Sequence, residues 1–362
     1  MSSTSITHAV GGLSGATVLA TGGCGFIGSH LVDALVARGA HVWVLDSLKA
    51  GSLANLDAVR DKIRIEIADV RDAGLVKDIV SRCDPQIVFH LAANASVPGS
   101  VADPTYDFET NSGGTFTLLS ALREIGLNAK VVLASSGAVY GQPQSFPITE
   151  ATPVDPISPY GASKAGAELT SKTFFRVYDM PIVIARIFNT YGPRMARFVV
   201  LDFLRKLQRD PSTLEILGDG NQKRDLIYVS DTVQGLMLLA EHGVPAEVYN
   251  LSSGHSLSVT EIAHALISAL GLEGKTRITY SGSSWPGDAQ RWEVSNGKIN
   301  GLGFTPEVPL AEGLSRTIQW FQETSPSVKS SRQFSTRSTC ESGARSWTGL
   351  NRVEDSCNNE HT

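Results

Sequence analysis

Thr21-Gly22-Gly23-Cys24-Gly25-Phe26-Ile27-Gly28 is the stretch that decides how this chain folds. It follows the short apolar run 17–20 and opens a segment, 28–38, whose apolar residues recur at helical spacing. Gly22, Gly25 and Gly28 fall at every third position. Glycine there permits a tight turn, lets the backbone N–H groups of Phe26 and Ile27 approach a pyrophosphate, and packs the helix close to the sheet. The helix N-terminus adds partial positive charge at the phosphates. Asp46 ends the next apolar run, 41–45, at the distance where a dinucleotide fold places the acid that accepts from a ribose diol. Such a carboxylate repels a 2′-phosphate, and no Arg or Lys directly follows it, so the pattern favours NAD over NADP. Asp46 also suits a turn at a strand end, and Cys24 reads as a small filler of the loop.

The same alternation continues along the chain. Runs at 63–67, 87–91 and 131–134 are short and nearly continuous in apolar residues, as strands buried on both faces must be. Segments 74–82, 108–125 and 162–178 carry helical spacing, and 182–187 reads as a further strand. Strands alternating with helices predict an α/β doubly wound parallel sheet, the Rossmann arrangement, over 16–188. Beyond it, helices at 198–209, 231–241, 259–270 and 310–321 and a strand at 214–217 predict a smaller mixed α/β lobe over 189–322, with some chain crossing between lobes. Pro143, Pro147, Pro153, Pro156 and Pro159 forbid a continuous helix or central strand between Tyr140 and Tyr160, and predict an ordered loop there. Residues 1–15, small and polar, read as a flexible leader. Residues 323–362 have only Val328, Phe334, Leu350 and Val353 as aliphatic or Phe anchors and read as a disordered tail.

Composition excludes several classes. The 362 residues carry 31 Lys+Arg against 36 Asp+Glu, a net charge of −5, without the basic field that nucleic-acid binding requires. With 42% hydrophobic and 19% charged residues the chain builds a sizeable core. No apolar run reaches the ~18 residues of a membrane span, and no basic-then-apolar start marks secretion. Cys24, Cys83, Cys340 and Cys357 have neither zinc-ligand spacing nor the density of a disulfide scaffold, so no metal is expected. A cytoplasmic enzyme is the expected class.

Tyr160-Gly161-Ala162-Ser163-Lys164 carries the chemistry. Residues at i and i+4 share a helix face. A tyrosine with an ordinary pKa near ~10 needs help to act as a base at neutral pH. A lysine ammonium one turn away supplies that help by stabilising the phenolate. Ser136 stands at the C-terminal end of the run 131–134, where open α/β sheets bind ligands, and would share the substrate oxygen with Tyr160. A turn or helix cap accounts equally for Ser135-Ser136.

These segments occur in order with Asp69-Val70-Arg71-Asp72, His90-Leu91-Ala92-Ala93, Asn111 with Gly114-Thr115, Arg186 to Arg194 and Gly218 to Val229. Together they make residues 16–321 resemble the extended short-chain dehydrogenase/reductases, in particular the NAD-dependent epimerase/dehydratase group acting on nucleotide-linked sugars. The resemblance implies that Asp69 and Val70 contact adenine and that Leu91 and Ala92 line the cofactor cleft. It makes Ser136, Tyr160 and Lys164 the catalytic set, with Asn189 and Arg224 at the phosphates of the sugar nucleotide. Asp288 and Arg291 match more loosely a place for ribose or phosphate. An arginine fork suits a diphosphate, although Arg224 equally suits a surface pair with Asp225. The resemblance further implies a homodimer joined through the helix near Phe108 and the Tyr160 helix, with Phe116, Leu118, Leu119, Phe174 and Phe175 as seam or as core.

Similar 4,6-dehydratases carry Asp-Glu after the catalytic hydroxyl, and similar uronate decarboxylases a Glu. Here Gly137-Ala138 stand there, and elimination lacks its acid and base. The expected reaction is therefore 4-epimerisation of a UDP-hexose (glucose/galactose) or UDP-hexuronate (glucuronate/galacturonate) through a 4-keto sugar. A dehydratase, decarboxylase or 4-dehydrogenase on the same scaffold is the first alternative, and a non-catalytic NAD-binding protein the second. Arg194 and Arg197 resemble a loop of uronate-handling relatives, and either would take a substrate carboxylate or stand as a solvated loop charge. Glu150, in the proline-rich loop just before Tyr160, is the first carboxylate expected to replace the missing acid.

Overall fold

The computed structural model describes residues 12–282 and 289–325. The expected tail beyond Ser325, with Cys340 and Cys357, most of the expected leader, and Asp288 lie outside the described residues. The strands, in chain order, are β1 (Thr17–Thr21), β2 (His41–Asp46), β3 (Arg64–Ile67), β4 (Ile87–His90), β5 (Lys130–Ser136) and β6 (Ile182–Ile187). They continue with β7 (Asn189–Tyr191), β8 (Thr213–Ile216), β9 (Lys223–Tyr228), β10 (Val248–Leu251), β11 (Ser256–Ser258) and β12 (Arg277–Tyr280). The helices are α1 (Phe26–Ala37), α2 (Ala73–Cys83), α3 (Val97–Ala102), α4 (Pro104–Phe108), α5 (Gly114–Ile125) and α6 (Pro159–Tyr178). After them come α7 (Val199–Arg209), α8 (Val229–His242), α9 (Val259–Ala269), α10 (Gly297–Asn300) and α11 (Leu310–Thr324).

Seven parallel strands form one sheet in the order β10-β6-β5-β4-β1-β2-β3. The five apolar runs read as strands in the first half of the chain all join it. Its far strand, β10, returns from beyond residue 188 and pairs Leu251 with Ile187. Helices cover both faces, which is why the inner strands are nearly continuous in apolar residues; β3, at the sheet edge, instead alternates Arg64-Ile65-Glu66-Ile67 and buries none of the four. On one face Leu31 and Leu35 of α1 meet Leu236 and Leu239 of α8. On the other, Val76 and Val80 of α2 pack with Leu118 and Leu122 of α5 and Phe174 of α6. Leu118, Leu119 and Phe174 are thus core rather than seam, Phe175 is half-buried, and Phe116 alone of that group is exposed. Leu13, at the end of the expected leader, is also buried in the sheet core. A separate core joins α7, α9 and α11 to β8 and β9. Among the described residues no helix is long and apolar enough to cross a membrane.

The helix expected over 108–125 is broken. Between α4 and α5, Glu109–Gly113 is π-helical. The wider turn carries Asn111 and Ser112 against α6, where Asn111 Nδ2 donates to Ser163 Oγ (2.9 Å) and Ser112 Oγ donates to the Ser163 carbonyl (2.6 Å). Such bulges commonly mark functional positions. The start of α6 is fixed locally: Ser158 caps it by accepting from Gly161 N–H, and Pro159 occupies the first turn. Tyr160 is thereby held at the mouth of the sheet.

Beneath the site a charged pair is fully buried. Glu168 of α6 accepts from Arg186 Nε (2.8 Å) and Nη2 (2.6 Å) and from Ser135 Oγ (2.6 Å), while the guanidinium lies 4.5 Å from the Tyr140 ring centre. Removing one member of such a pair leaves the other charge uncompensated in the core. Glu168→Ala is therefore expected to lower unfolding stability by about 3–5 kcal/mol, read by urea unfolding of the two proteins side by side.

Candidate active site

The C-terminal ends of β1, β2, β4, β5 and β6 converge on one edge. Gly22 has a φ of 71°. A Cβ there would stand 2.7 Å from Ala92 N, so the chain leaving β4 passes directly over the glycine loop. Any Cβ on Gly28 would collide with the Gly22 carbonyl oxygen, which sets how closely α1 approaches. A Cβ on Gly25 would meet only that same oxygen, at 3.1 Å. The space beside Gly25, at the N-terminus of α1 with Phe26 and Ile27, is otherwise open.

Asp46 is buried and accepts from Cys24 N–H (2.9 Å) and Leu48 N–H (2.8 Å), one bond to each oxygen. Burial raises its pKa and the two donors oppose the rise. The carboxylate so ties the glycine loop to β2 and keeps lone pairs for further donors. The turn reading of Asp46 is met, with acceptor capacity left over. Along the same edge, Asp69 is paired with Arg71 (2.9 Å), which holds its carboxyl below the usual range. Val70 is buried against Gly114, where a Cβ would stand 2.5 Å from Val70 Cγ1. Leu91 and Ala92 are half-buried.

Ser136, Tyr160 and Lys164 are brought together. Ser136 Oγ caps the turn that follows β5, accepting from Ala138 N–H (3.2 Å), and faces the Tyr160 phenol. Burial raises the Tyr160 pKa, Ser136 and Arg197 lower it, and Asp107 raises it. Burial pushes Lys164 down to about 8, against the pull of Asp107 and Glu168. No described group hydrogen-bonds the Lys164 ammonium, although the residue is 4% exposed.

Asn111, already among the ordered motifs, and two residues absent from the sequence reading, Asn94 and Asp107, stand beside this set. Asp107, wholly buried, accepts from Asn94 Nδ2 (3.0 Å), Asn111 Nδ2 (3.2 Å) and Ser163 Oγ (2.5 Å). In sequence Asp107 stands just before the helical segment 108–125, and nothing there signals its burial. His90 is fixed by Thr21 (2.7 Å) and Thr115 (3.1 Å) and its pKa is lowered by burial to about 3.

The remaining residues divide. Arg194 does not face the catalytic set: its guanidinium is held by Asp33 of α1 (2.7 Å), and His30 Nε2 bonds the neighbouring Pro193 carbonyl (3.0 Å). Arg197 is the arginine beside Tyr160; burial lowers its pKa, and no carboxylate pairs with it among the described residues. Asn189 lies half-buried on β7, which pairs with β9. Arg224 of β9 is buried and donates to the Ala289 carbonyl (2.9 Å), while Asp225 is spent on Ser253 N–H (2.7 Å) and Gly254 N–H (2.9 Å). Arg291 is exposed, paired with Glu293 (2.7 Å) and stacked on Phe146. Glu150 accepts from the Asn250 backbone N–H (2.8 Å).

Comparison with known proteins sets this geometry in a family. The family model described as GDP-mannose 4,6 dehydratase matches residues 19–317. A putative UDP-glucose 4-epimerase of Methanocaldococcus jannaschii is 34% identical over 309 residues, spanning 84% of this chain and 98% of that one. The crystal structure of UDP-glucose 4-epimerase from Thermotoga maritima with UDP-glucose is 34% identical, with a TM-score of 0.79 over 85% of this chain and 99% of that one. A dTDP-glucose 4,6-dehydratase from Streptomyces venezuelae, crystallised with NAD, is 36% identical, with a TM-score of 0.78 over 84% and 97%. Overall identity therefore does not separate the two reactions.

The glycine loop also fixes the state of its cysteine. Burial, aided by the Asp46 carboxylate, pushes the Cys24 thiol up to about 12, and burial does the same to Cys83. Neither is a thiolate near neutrality. Iodoacetamide treatment of the native protein at about pH 8 is expected to leave both unmodified, as read by peptide mass spectrometry after quenching. Alkylation of Cys24 would show that the loop opens in solution.

Proposed function

The chain belongs to the GDP-mannose 4,6-dehydratase family of nucleotide-sugar epimerases and dehydratases, and from that membership we propose that it is an NAD-dependent 4-epimerase of a UDP-linked hexose or hexuronate. The observation that carries epimerase over dehydratase lies after Ser136. A Cβ on Gly137 would stand 2.5 Å from Phe188 Cε1, so the Phe188 ring fills the space an acid at 137 would need. Glu150 is engaged by the Asn250 backbone, and Asp107, the carboxylate acting on Tyr160, is sealed by three donors. Neither is placed to protonate a leaving hydroxyl.

The residues fit NAD: space beside Gly25, spare lone pairs on Asp46, and a buried lysine with no hydrogen bond among the described residues are the features such a ligand would complete. Gly22, Gly25, Phe26, Ile27 and Gly28 would hold the pyrophosphate, Asp46 the ribose diol, and Asp69 and Val70 the adenine. Leu91 and Ala92 would line the cleft, with Tyr160 and Lys164 at its nicotinamide end. NAD, when bound, supplies the acceptor and later the donor of the C4 hydride. The chain's own work is proton transfer. The Tyr160 phenolate takes the proton of the 4-hydroxyl, Ser136 donates to the same oxygen, and the Lys164 ammonium lowers the cost of the phenolate. With Asn189, Arg224 and Arg291 at the phosphates and ribose of the nucleotide, the 4-keto sugar turns its other face to the cleft, and Tyr160 returns the proton to the C4 oxygen. Arg197, rather than Arg194, is the cation available to a C6 carboxylate. A non-catalytic role would need none of Ser136, Tyr160 and Lys164. Exposed Phe116 of α5 with Leu169 and Val177 of α6 supports a homodimer through these helices.

Tyr160→Phe is expected to lower kcat by ~10²–10⁴-fold with nucleotide binding retained. Deuterium placed at C4 should stay at C4 in the inverted product, with none entering C5 from heavy water, as read by NMR and mass. A product lighter by water or carbon dioxide would end the epimerase reading. Arg197→Ala should raise KM for a UDP-hexuronate and leave that for a UDP-hexose nearly unchanged if the hexuronate is the substrate.

A further inference from the structure

We propose that Asp107 is a positioning residue for catalysis: its buried carboxylate is the counter-charge that keeps Lys164 an ammonium and anchors the first turn of α6, which carries Tyr160. The argument is one of charge and donors. Three groups with charge or the capacity for it face Lys164 from the elements packed around it: His90 at the end of β4, Asp107 of α4 and Glu168 of α6.

Two of them are already accounted for. Thr115 Oγ1 donates to the Asn111 carbonyl (2.7 Å), so at His90 it accepts, and the ring proton sits on Nε2. Nδ1 then accepts from Thr21. His90 is a neutral ring with both nitrogens used. Glu168 is held by both Nε and Nη2 of Arg186, so its charge is matched within its own pair. Asp107 has no cation at hydrogen-bond distance among the described residues. Its three donors, Asn94, Asn111 and Ser163, are all neutral. Burial raises the Asp107 pKa, and the bonds from these donors and the charge of Lys164, the cation that acts on it, oppose the rise.

The network also has a mechanical side. Ser163 lies between Tyr160 and Lys164 in α6, and Ser163 Oγ reaches both Asp107 (2.5 Å) and the Tyr160 carbonyl (3.0 Å). Asn111 joins it from the π-helical turn, and Asn94 from the loop after β4. Tyr160 itself is faced by Ser136, Asp107 and Arg197. Loss of the Asp107 charge makes the ammonium harder to keep, so the Lys164 pKa falls, and it also makes the phenolate easier to form.

The test is Asp107→Asn, which keeps shape and removes charge. In protein labelled with ¹³C at lysine Cε, the Lys164 resonance is identified by its loss in Lys164→Met, and its midpoint is followed against pH. A unit charge removed from the surroundings of a buried group shifts that group by about one unit or more. The midpoint, near 8 in the parent, is expected to fall by about that much. Ser163→Ala, which removes a bond and leaves the charge, is expected to leave it in place. If Asp107→Asn does not fold, Asp107→Ser takes its place, with room for water. An unchanged midpoint in a folded charge-removed variant overturns the proposal, as does failure of both variants to fold, which would make the carboxylate a folding requirement. The pH profile of kcat/KM, whose two limbs should both move to lower pH, rests on the proposed reaction. The lysine titration does not, so a missing epimerase activity beside a shifted midpoint would condemn the reaction and leave Asp107 its role.

Discussion

Burial of a lysine ammonium beside a tyrosine phenol is the constraint around which this site is arranged. Desolvation alone favours the neutral form of both groups. A neutral lysine beside a neutral phenol gives no phenolate to act as a base. The surroundings oppose that outcome from two sides: Ser136 and Arg197 favour the phenolate, and Asp107 and Glu168 favour the ammonium. The opposition leaves Lys164 near 8, close enough to neutrality for its charge to respond to what binds. A cofactor and substrate entering this edge would complete the set of partners that the folded chain leaves open.

The same edge is rigid for reasons that have little to do with chemistry. Three close approaches hold it: Gly22 under Ala92, Gly28 against the Gly22 carbonyl, and Gly114 against Val70. Asp46 ties the glycine loop to β2, and Thr21, His90 and Thr115 form a buried chain from β1 through β4 to α5. A site built on strand ends and helix starts, each fixed by such contacts, needs little reorganisation when charge moves. The Arg186–Glu168 pair lies one layer deeper. Such a pair is weak evidence for stability on its own terms, but Ser135 bonds it directly, and so the strand carrying Ser136 is joined to the helix carrying Tyr160.

What the sequence made legible was whatever repeats or is spaced. Strands β1, β2, β4, β5 and β6 are nearly continuous apolar runs, as a parallel sheet covered on both faces requires, while the edge strand β3 alternates. The glycine triplet and Asp46 were readable because strand, turn, helix and acid follow at fixed distances. Tyr160 and Lys164 share a helix face by arithmetic. Other elements escaped because long-range contacts decide them. β9 hides Arg224 and Asp225 inside a buried strand, where polar residues break the apolar run. The π-helical turn inside 108–125 depends on Ser163, some fifty residues away. Asp107 and Asn94 look like surface polar residues until α6 closes over them. Arg194 and Arg197 were indistinguishable in sequence. The positive φ of Arg194, 66°, turns it to Asp33 and leaves Arg197 at Tyr160.

The place after Ser136 shows how a shared scaffold diverges. Epimerisation and 4,6-dehydration both begin by oxidising C4, and both need the same serine, tyrosine and lysine. They part at the next step, where elimination needs an acid and a base near C5 and C6. Substituting an acid at 137 would not be enough here, because its Cβ would meet the Phe188 ring, and Phe188 is locked edge-on against Trp292 at 5.5 Å between ring centres. Phe188 in turn stacks with Tyr140, whose hydroxyl donates to Asn250 (2.7 Å), and Asn250 N–H engages Glu150. The aromatic cluster therefore denies space to an acid at 137, and Asn250, bonded to it, holds the alternative carboxylate in place. An acid at 137 would require repacking Phe188, Tyr140 and Trp292 together, and for that reason its absence is a property of the folded cluster as much as of two residues.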